Sequence, residues 1–148
     1  MPNSKTEPAP PLAKIVSSPY ALVVEDDPDA RVTLMMCLQE EGFKCVGANN
    51  GLEALLLLVD TSARNSLPAL IFLDINMPVM TGWQLMSVLY MCGTLHHIPV
   101  YITTGESIPA NDQYKVLRKP YSLDKVLEIA HRHLTIERSN GPTHQVGS

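Results

Sequence analysis

The chain has 148 residues, 45% of them apolar and 18% charged, with a formal net charge of −4. That is enough for one domain with a sizeable core, and no Lys/Arg-rich run marks a nucleic-acid footprint. No apolar run is long enough to cross a bilayer. The three cysteines, Cys37, Cys45 and Cys92, are odd in number and widely spaced, which excludes a disulfide framework or a CxxC metal site and fits a reduced, cytoplasmic protein.

Residues 1–18 carry Pro8, Pro10 and Pro11 among Ser and Ala and read as a flexible arm without the apolar stretch of a secretory signal. A folded domain is expected over 19–135, and a short flexible tail over 136–148.

Tyr20–Val24 is a continuous β-prone apolar run, the pattern of a strand buried on both faces. Asp27 followed by Pro28 signals a helix start, with Asp as N-cap and Pro at the first helical position. Ala30, Leu34, Cys37 and Leu38 follow at helical spacing, and Gly42 ends the helix. Phe43–Ala48 reads as a second strand. Asn50 caps a second helix, whose inward stripe is expected to be Leu52, Leu55, Leu56 and Val59, with Leu57 and Leu58 in excess. Ala69–Leu73 is a third strand and Trp83 to about Met91 a third helix. Pro99–Thr103 is a fourth strand, opening with Pro as a strand end allows, and Val116–Arg118 is a short fifth. Ser122 caps a last helix, with Leu123, Val126, Leu127 and Ala130 facing inward.

Apolar strands alternating with helices imply a parallel sheet covered on both faces. Five such units give a flavodoxin-like, doubly wound α/β fold with strand order 2-1-3-4-5. In such folds the site lies beyond the carboxyl ends of the strands. There stand Glu25, Asp26 and Asp27 after the first strand, Asp74 and Asn76 after the third, Thr104 at the fourth, and Lys119-Pro120 after the fifth. Clustered carboxylates repel one another, and a hard divalent cation bound through oxygens relieves that repulsion. Mg²⁺ suits such a site because it needs few carboxylates and keeps water positions for a phosphate. A lysine and a hydroxyl beside it complete a cradle for phosphoryl oxygens.

The runs Val23-Val24-Glu25-Asp26-Asp27, Asn50-Gly51-Leu52-Glu53-Ala54-Leu55, Leu73 through Gly82, Ile102-Thr103-Thr104-Gly105 and Lys119-Pro120 resemble, in order, the signatures of response-regulator receiver domains. The resemblance covers roughly Tyr20 to Leu134. It implies that Asp74 accepts the phosphoryl group. Asp26 then binds Mg²⁺ (or Mn²⁺) directly, Glu25 reaches the metal through water, and the Asn76 carbonyl completes the shell. Thr104 and Lys119 contact the phosphoryl group, and the Lys119–Pro120 bond is cis. The partners implied are a sensor histidine kinase or histidine phosphotransfer protein, and a downstream protein that the sequence does not name; no nucleic acid or membrane is implied. The chain is then a switch that catalyses its own phosphorylation and dephosphorylation rather than an enzyme of turnover. The alternative is a pseudo-receiver, a binding module that is never phosphorylated. A phosphatase of the aspartate-nucleophile kind needs an acid two positions after the nucleophile, where this chain has Asn76.

The lifetime of the phosphoryl state is set in the family by the positions occupied here by Asn76 and Glu106. Both are polar and able to hold water, so a short-lived state is expected. Two departures concern output. Val116 stands where many receivers carry an aromatic that turns inward on activation. Thr104 and Lys119 are only fifteen positions apart, several fewer than usual in the family, with Gly105, Pro109 and Asn111 between them, all unfavourable within a helix. The fourth helix, between strands four and five, is therefore expected to be short, frayed or missing. Met35 and Met36 exceed the needs of the first helix stripe and serve either as core packing or as an adaptable docking surface.

Overall fold

The computed structural model describes residues 19–109 and 111–134; the arm and tail expected at the two ends lie outside the described residues. Nine elements follow one another: β1 (Tyr20–Val24), α1 (Pro28–Glu40), β2 (Lys44–Ala48), α2 (Gly51–Ala63), β3 (Leu70–Asp74), α3 (Gly82–Met91), β4 (Val100–Thr104), β5 (Lys115–Arg118) and α4 (Leu123–His133). The five strands form one parallel sheet in the order β2-β1-β3-β4-β5, as the sequence pattern implies.

Alternation along each strand explains the unbroken apolar runs. Leu22, Val24, Ile71, Leu73 and Ile102 point to one face and pack under α2 and α3 with Ala54, Leu58, Leu85 and Leu89. Their neighbours Ala21, Val23, Leu70, Phe72 and Tyr101 point to the other, under α1 and α4 with Leu34, Leu38, Val126, Ile129 and Ala130. The central strands β1, β3 and β4 are buried throughout. Each large apolar side chain buried this way is worth roughly 1.5–3 kcal/mol of transfer free energy. The outer strands differ: β2 is half-buried over its first four residues, and in β5 Lys115 and Arg118 are exposed.

Local signals set the helix ends. The Asp27 side chain accepts from the Asp29 amide and Pro28 opens α1. Glu41 closes α1, and Gly42 follows at φ 96°, a left-handed position that suits glycine. Asn50 and Ser122 cap α2 and α4 as expected. Thr81 and Gln84 form a reciprocal capping box at α3. The helix therefore begins at Gly82, one residue before Trp83.

The structure corrects several inward faces. In α2 the buried residues are Gly51, Ala54, Leu58 and Thr61, with Leu55 and Leu57 half-buried; Leu52, Leu56 and Val59 face outward. The Thr61 hydroxyl is satisfied by the Leu57 carbonyl, so burying it is inexpensive. In α4, Leu123 is exposed and Ile129 takes its place in the core. Met35 packs on the core while Met36 is exposed. Strands three and four each end one residue later than expected, so Asp74 and Thr104 are the last strand residues rather than the first loop residues.

No helix forms between β4 and β5 among the described residues. Residues 105–109 and 111–114 run as bends, a turn and irregular chain. Asn111 organises the last of them, its side chain accepting from the Gln113 and Tyr114 amides, an Asx turn. The missing element is the one the sequence disfavoured through Gly105, Pro109 and Asn111.

Candidate phosphoryl-acceptor site

The parallel sheet brings the carboxyl ends of β1, β3, β4 and β5 to one edge, and the polar residues of the site arrive with them. Glu25, Asp26 and Asp74 each place one carboxylate oxygen within 4.8 Å of the others. Glu25 and Asp74 are buried and Asp26 is exposed, so the cluster opens to solvent on one side. The Lys119 ammonium lies 3.4 Å from both Glu25 Oε1 and Asp74 Oδ1. Thr104 is buried one strand away. Its Oγ1 accepts from the Glu106 amide at 2.9 Å, which leaves the hydroxyl proton available to donate. The Thr104 carbonyl accepts from the Lys119 amide at 2.7 Å, joining the ends of β4 and β5. The Lys119–Pro120 peptide is cis.

Two buried carboxylates face one ammonium. Burial, and then the Asp74 charge, push the Glu25 carboxyl above its ordinary range, against the opposing pull of Lys119 and the Asp27 amide. For Lys119, burial works to lower the pKa, but the Asp74 and Glu25 charges prevail and raise it. The lysine therefore stays an ammonium at neutral pH, the single cation against the three carboxylates of the cluster. These carboxylate oxygens are the donors a hard divalent cation takes, so the residues fit Mg²⁺ or Mn²⁺. When bound, such an ion supplies neutralisation of charge on phosphoryl oxygens.

Backbone packing holds Asp74 in place. The Asp74 side chain accepts from the Asn76 amide at 3.4 Å. Gly82 lies against the strand end: a Cβ there would sit 2.5 Å from the Asp74 carbonyl oxygen and 2.8 Å from Ile75 Cα. Its amide donates to the Ile75 carbonyl. Between them Val79 takes φ 70°, and the Met80 amide donates to the Pro78 carbonyl at 2.7 Å, closing a γ-turn. Met80 in turn accepts from the Gly51 amide, and a Cβ at Gly51 would lie 2.7 Å from that carbonyl oxygen. The loop after Asp74 is thus clamped between α3 and the first turn of α2.

The expected site residues Glu25, Asp26, Asp74, Thr104 and Lys119 are brought to this edge. Asn76 and Glu106 meet at its mouth, with Asn76 Nδ2 3.5 Å from Glu106 Oε2. Asp27 stands apart as a helix cap. Val116 is half-buried in β5. Trp83 is partly exposed on the first turn of α3, its ring edge-on to Tyr114 at 5.5 Å.

The parts played by four residues escaped the sequence reading. Arg31 donates to the Glu25 carbonyl at 2.7 Å, one turn after the cap. Tyr121 follows the cis proline, its phenol pushed up by burial and then by the Glu25 charge. Gly82 and Gly51 act through close approach. Only the capping box Thr81-x-x-Gln84 left a signal in the sequence, and it bears on Gly82 alone. Beside Lys119, a largely apolar cleft of about 750 Å³ runs between α1 and the start of α4, lined by Asp27, Thr33, Leu34, Pro120, Tyr121 and Leu123.

The order 2-1-3-4-5 and an acidic pocket at the carboxyl edge define a doubly wound α/β protein built to handle an anion with a cation. A family model, the response regulator receiver domain, matches residues 21–131. The chain belongs to that family, whose members accept a phosphoryl group in two-component signalling. It is similar to the transcriptional regulatory protein PrrA of Mycobacterium tuberculosis, with 37% identity over 62% of this chain and 36% of that one. It is 31% identical to the two-component response regulator ORR13 of Oryza sativa, over 64% of this chain and 74% of that one. It thus spans only part of several relatives: 56% of an uncharacterised 14.6 kDa protein of Leptolyngbya boryana and about a third of PrrA. Among solved structures, the chemotaxis protein CheY4 of Vibrio cholerae superposes with a TM-score of 0.66 at 27% identity, over 79% of this chain and 99% of that one. The receiver domain of a histidine kinase from Syntrophus aciditrophicus gives 0.67 at 28%, over 79% and 90%. Among the described residues no helix is long and apolar enough to cross a membrane.

Proposed function

We propose that this protein takes a phosphoryl group onto Asp74 from a phosphohistidine of a sensor kinase or phosphotransfer protein, and signals through a change in protein contacts. The observation that supports it best is the meeting of the Glu25, Asp26 and Asp74 carboxylates within 4.8 Å of one another at one sheet edge, with the Lys119 ammonium 3.4 Å from Glu25 and Asp74 and the Thr104 hydroxyl one strand away.

An Asp74 carboxylate oxygen attacks phosphorus, the P–N bond to the donor imidazole breaks, and an acyl phosphate forms while the imidazole leaves and takes up a proton. Lys119 moves its charge from the carboxylates onto a phosphoryl oxygen, and Thr104 donates its hydroxyl proton to another. Glu25, Asp26, Asp74 and the Asn76 carbonyl are the groups that would hold the cation. The cleft between α1 and Tyr121 opens beside Lys119 and suits the docking of the donor, with Leu34 and Leu123 as apolar contacts. Asn76 and Glu106, touching at the mouth, keep water near the acyl phosphate and shorten its life; a phosphoaspartate persisting for many hours would remove that assignment.

The test is intact mass after brief exposure to acetyl phosphate with Mg²⁺. One phosphoryl group is gained by the wild type and none by Asp74→Ala. No gain in the wild type would make the protein a phosphorylation-independent binding module. A gain surviving in Asp74→Ala would mean that another residue is the acceptor.

A further inference from the structure

Helix α2 carries two apolar faces. One holds Ala54, Leu58 and Thr61 and is buried against the sheet. The other holds Leu52, Leu56, Val59 and Ala63, all exposed, with Leu56 at 62% and Val59 at 59%. At 3.6 residues per turn these four fall on one line almost opposite the core. Their spacing of four, three and four is that of a heptad seam, in which apolar residues form the stripe that another helix packs into. Leu52, Leu56 and Val59 belong to neither core cluster. Three large apolar side chains in line form a contiguous patch rather than the scattered exposure usual on a protein surface.

The charges beside the seam indicate what covers it. One flank carries Glu53, Asp60 and, further round the helix, Arg64, and is net acidic; the other carries Leu55 and Ser62. Glu53 Oε1 accepts from the Asn49 amide, and Asp60 pairs with Arg64 at 3.2 Å, so both carboxylates are held beside the seam. Two copies packed antiparallel about a two-fold axis would set Glu53 of each against Asp60 of the other. Packed in parallel, they would set these acids against Leu55. Both arrangements are unfavourable, and each chain already carries a net charge of −4. A seam of four side chains also falls short of the ~1,200–2,000 Å² that a stable dimer buries.

We infer that the outer face of α2 is a docking site for an amphipathic helix of a partner protein, one with an apolar heptad stripe and Lys or Arg along the side that meets Glu53 and Asp60. The contact is weak and transient, as its size dictates. It does not depend on Asp74 chemistry and is tested on unphosphorylated protein, so the fate of the phosphoryl-acceptor reading leaves it untouched.

The full chain, ¹⁵N-labelled, is titrated with two synthetic helical peptides sharing one leucine heptad stripe, flanked in one by Lys and Arg and in the other by Glu. The basic peptide shifts the amides of the outer α2 face in a saturable way, and the acidic peptide binds at least tenfold more weakly. Leu56→Glu/Val59→Glu lowers affinity for the basic peptide at least tenfold with an unchanged melting temperature, since both side chains point outward. Asp60→Lys narrows or reverses the preference between peptides. Shifts centred away from α2, or equal affinity for both peptides, would overturn the inference. So would concentration-dependent dimerisation that Leu56→Glu abolishes, which would give the seam to a second copy.

Discussion

The connections on either side of β3 and β4 are built in opposite ways. From Asp74 to Gly82 the chain is clamped: backbone groups touch at Gly82 and at Gly51, a γ-turn closes at Val79, and a capping box starts α3 within nine residues. Between Gly105 and Tyr114 the described residues are held by side-chain contacts instead: the Glu106 amide on Thr104 Oγ1, an Asx turn at Asn111, the Tyr114 hydroxyl on the Pro109 carbonyl, the Trp83–Tyr114 ring contact, and Ile108 and Tyr114 packed on the core. Both connections leave the same sheet edge, and both follow a site residue, Asp74 or Thr104. The difference teaches where this protein can bend. The connection after Asp74 leaves no room for a changed backbone there, whereas after Thr104 a Cβ at Gly105 would meet nothing within 4 Å.

Glycine substitutions give the sharpest contrast. Gly82→Ala forces backbone apart at Asp74 and should cost roughly 1–3 kcal/mol or more, the scale of overpacking a tight site, and slow phosphorylation as well. Gly105→Ala meets nothing within 4 Å and should stay within about 0.5 kcal/mol of the wild type. Chemical denaturation of both variants measures this, and equal losses would break the comparison.

A smaller effect is expected at the carboxylates. Removing one of the two buried acids relieves the crowding of negative charge in the cluster of Glu25, Asp26 and Asp74 around the single Lys119 ammonium. Glu25→Gln should therefore melt a few degrees higher than the wild type in the absence of divalent cations. Mg²⁺ should raise the wild-type melting temperature, as a ligand that binds only the native state does, and should raise that of the variant much less. A variant that melts lower without metal would mean that the Lys119 contact outweighs the repulsion between Glu25 and Asp74.

The smallest effect concerns Tyr114. Removing its ring from Trp83 should cost about 0.5–1.5 kcal/mol, the worth of an aromatic pair. In hydrogen exchange, the backbone amides of the described residues between 105 and 114 should exchange through low-energy local opening, and those of β3 only near the global unfolding free energy. Slow exchange after Thr104 would contradict the looseness assigned to that connection.

Much of this was legible before any coordinates. Unbroken apolar strands demand two covered faces, hence a parallel sheet, and a parallel sheet gathers the strand ends and the residues beside them. The caps at Asp27, Asn50 and Ser122 were readable because their chemistry is local. The inward face of α2 was not. Leu55 through Val59 are five apolar residues in succession, so hydropathy sets no rotational phase; the sheet selects the face of Ala54 and Thr61, whose small side chains let the helix approach. Gly51 and Gly82 were equally silent, because their role depends on which distant backbone comes near. The absence of a helix after Thr104 could be read because Gly105, Pro109 and Asn111 act on their own backbone.

Trp83 gives the protein an intrinsic optical gauge. It is the only tryptophan in the chain, it stands on the first turn of the helix that follows the clamped loop after Asp74, and its indole meets the phenol of the second connection at Tyr114. Light absorbed by the indole alone is emitted from the junction of the two connections. The colour and polarisation of that emission report whether they separate, without a dye, a label or an added cysteine.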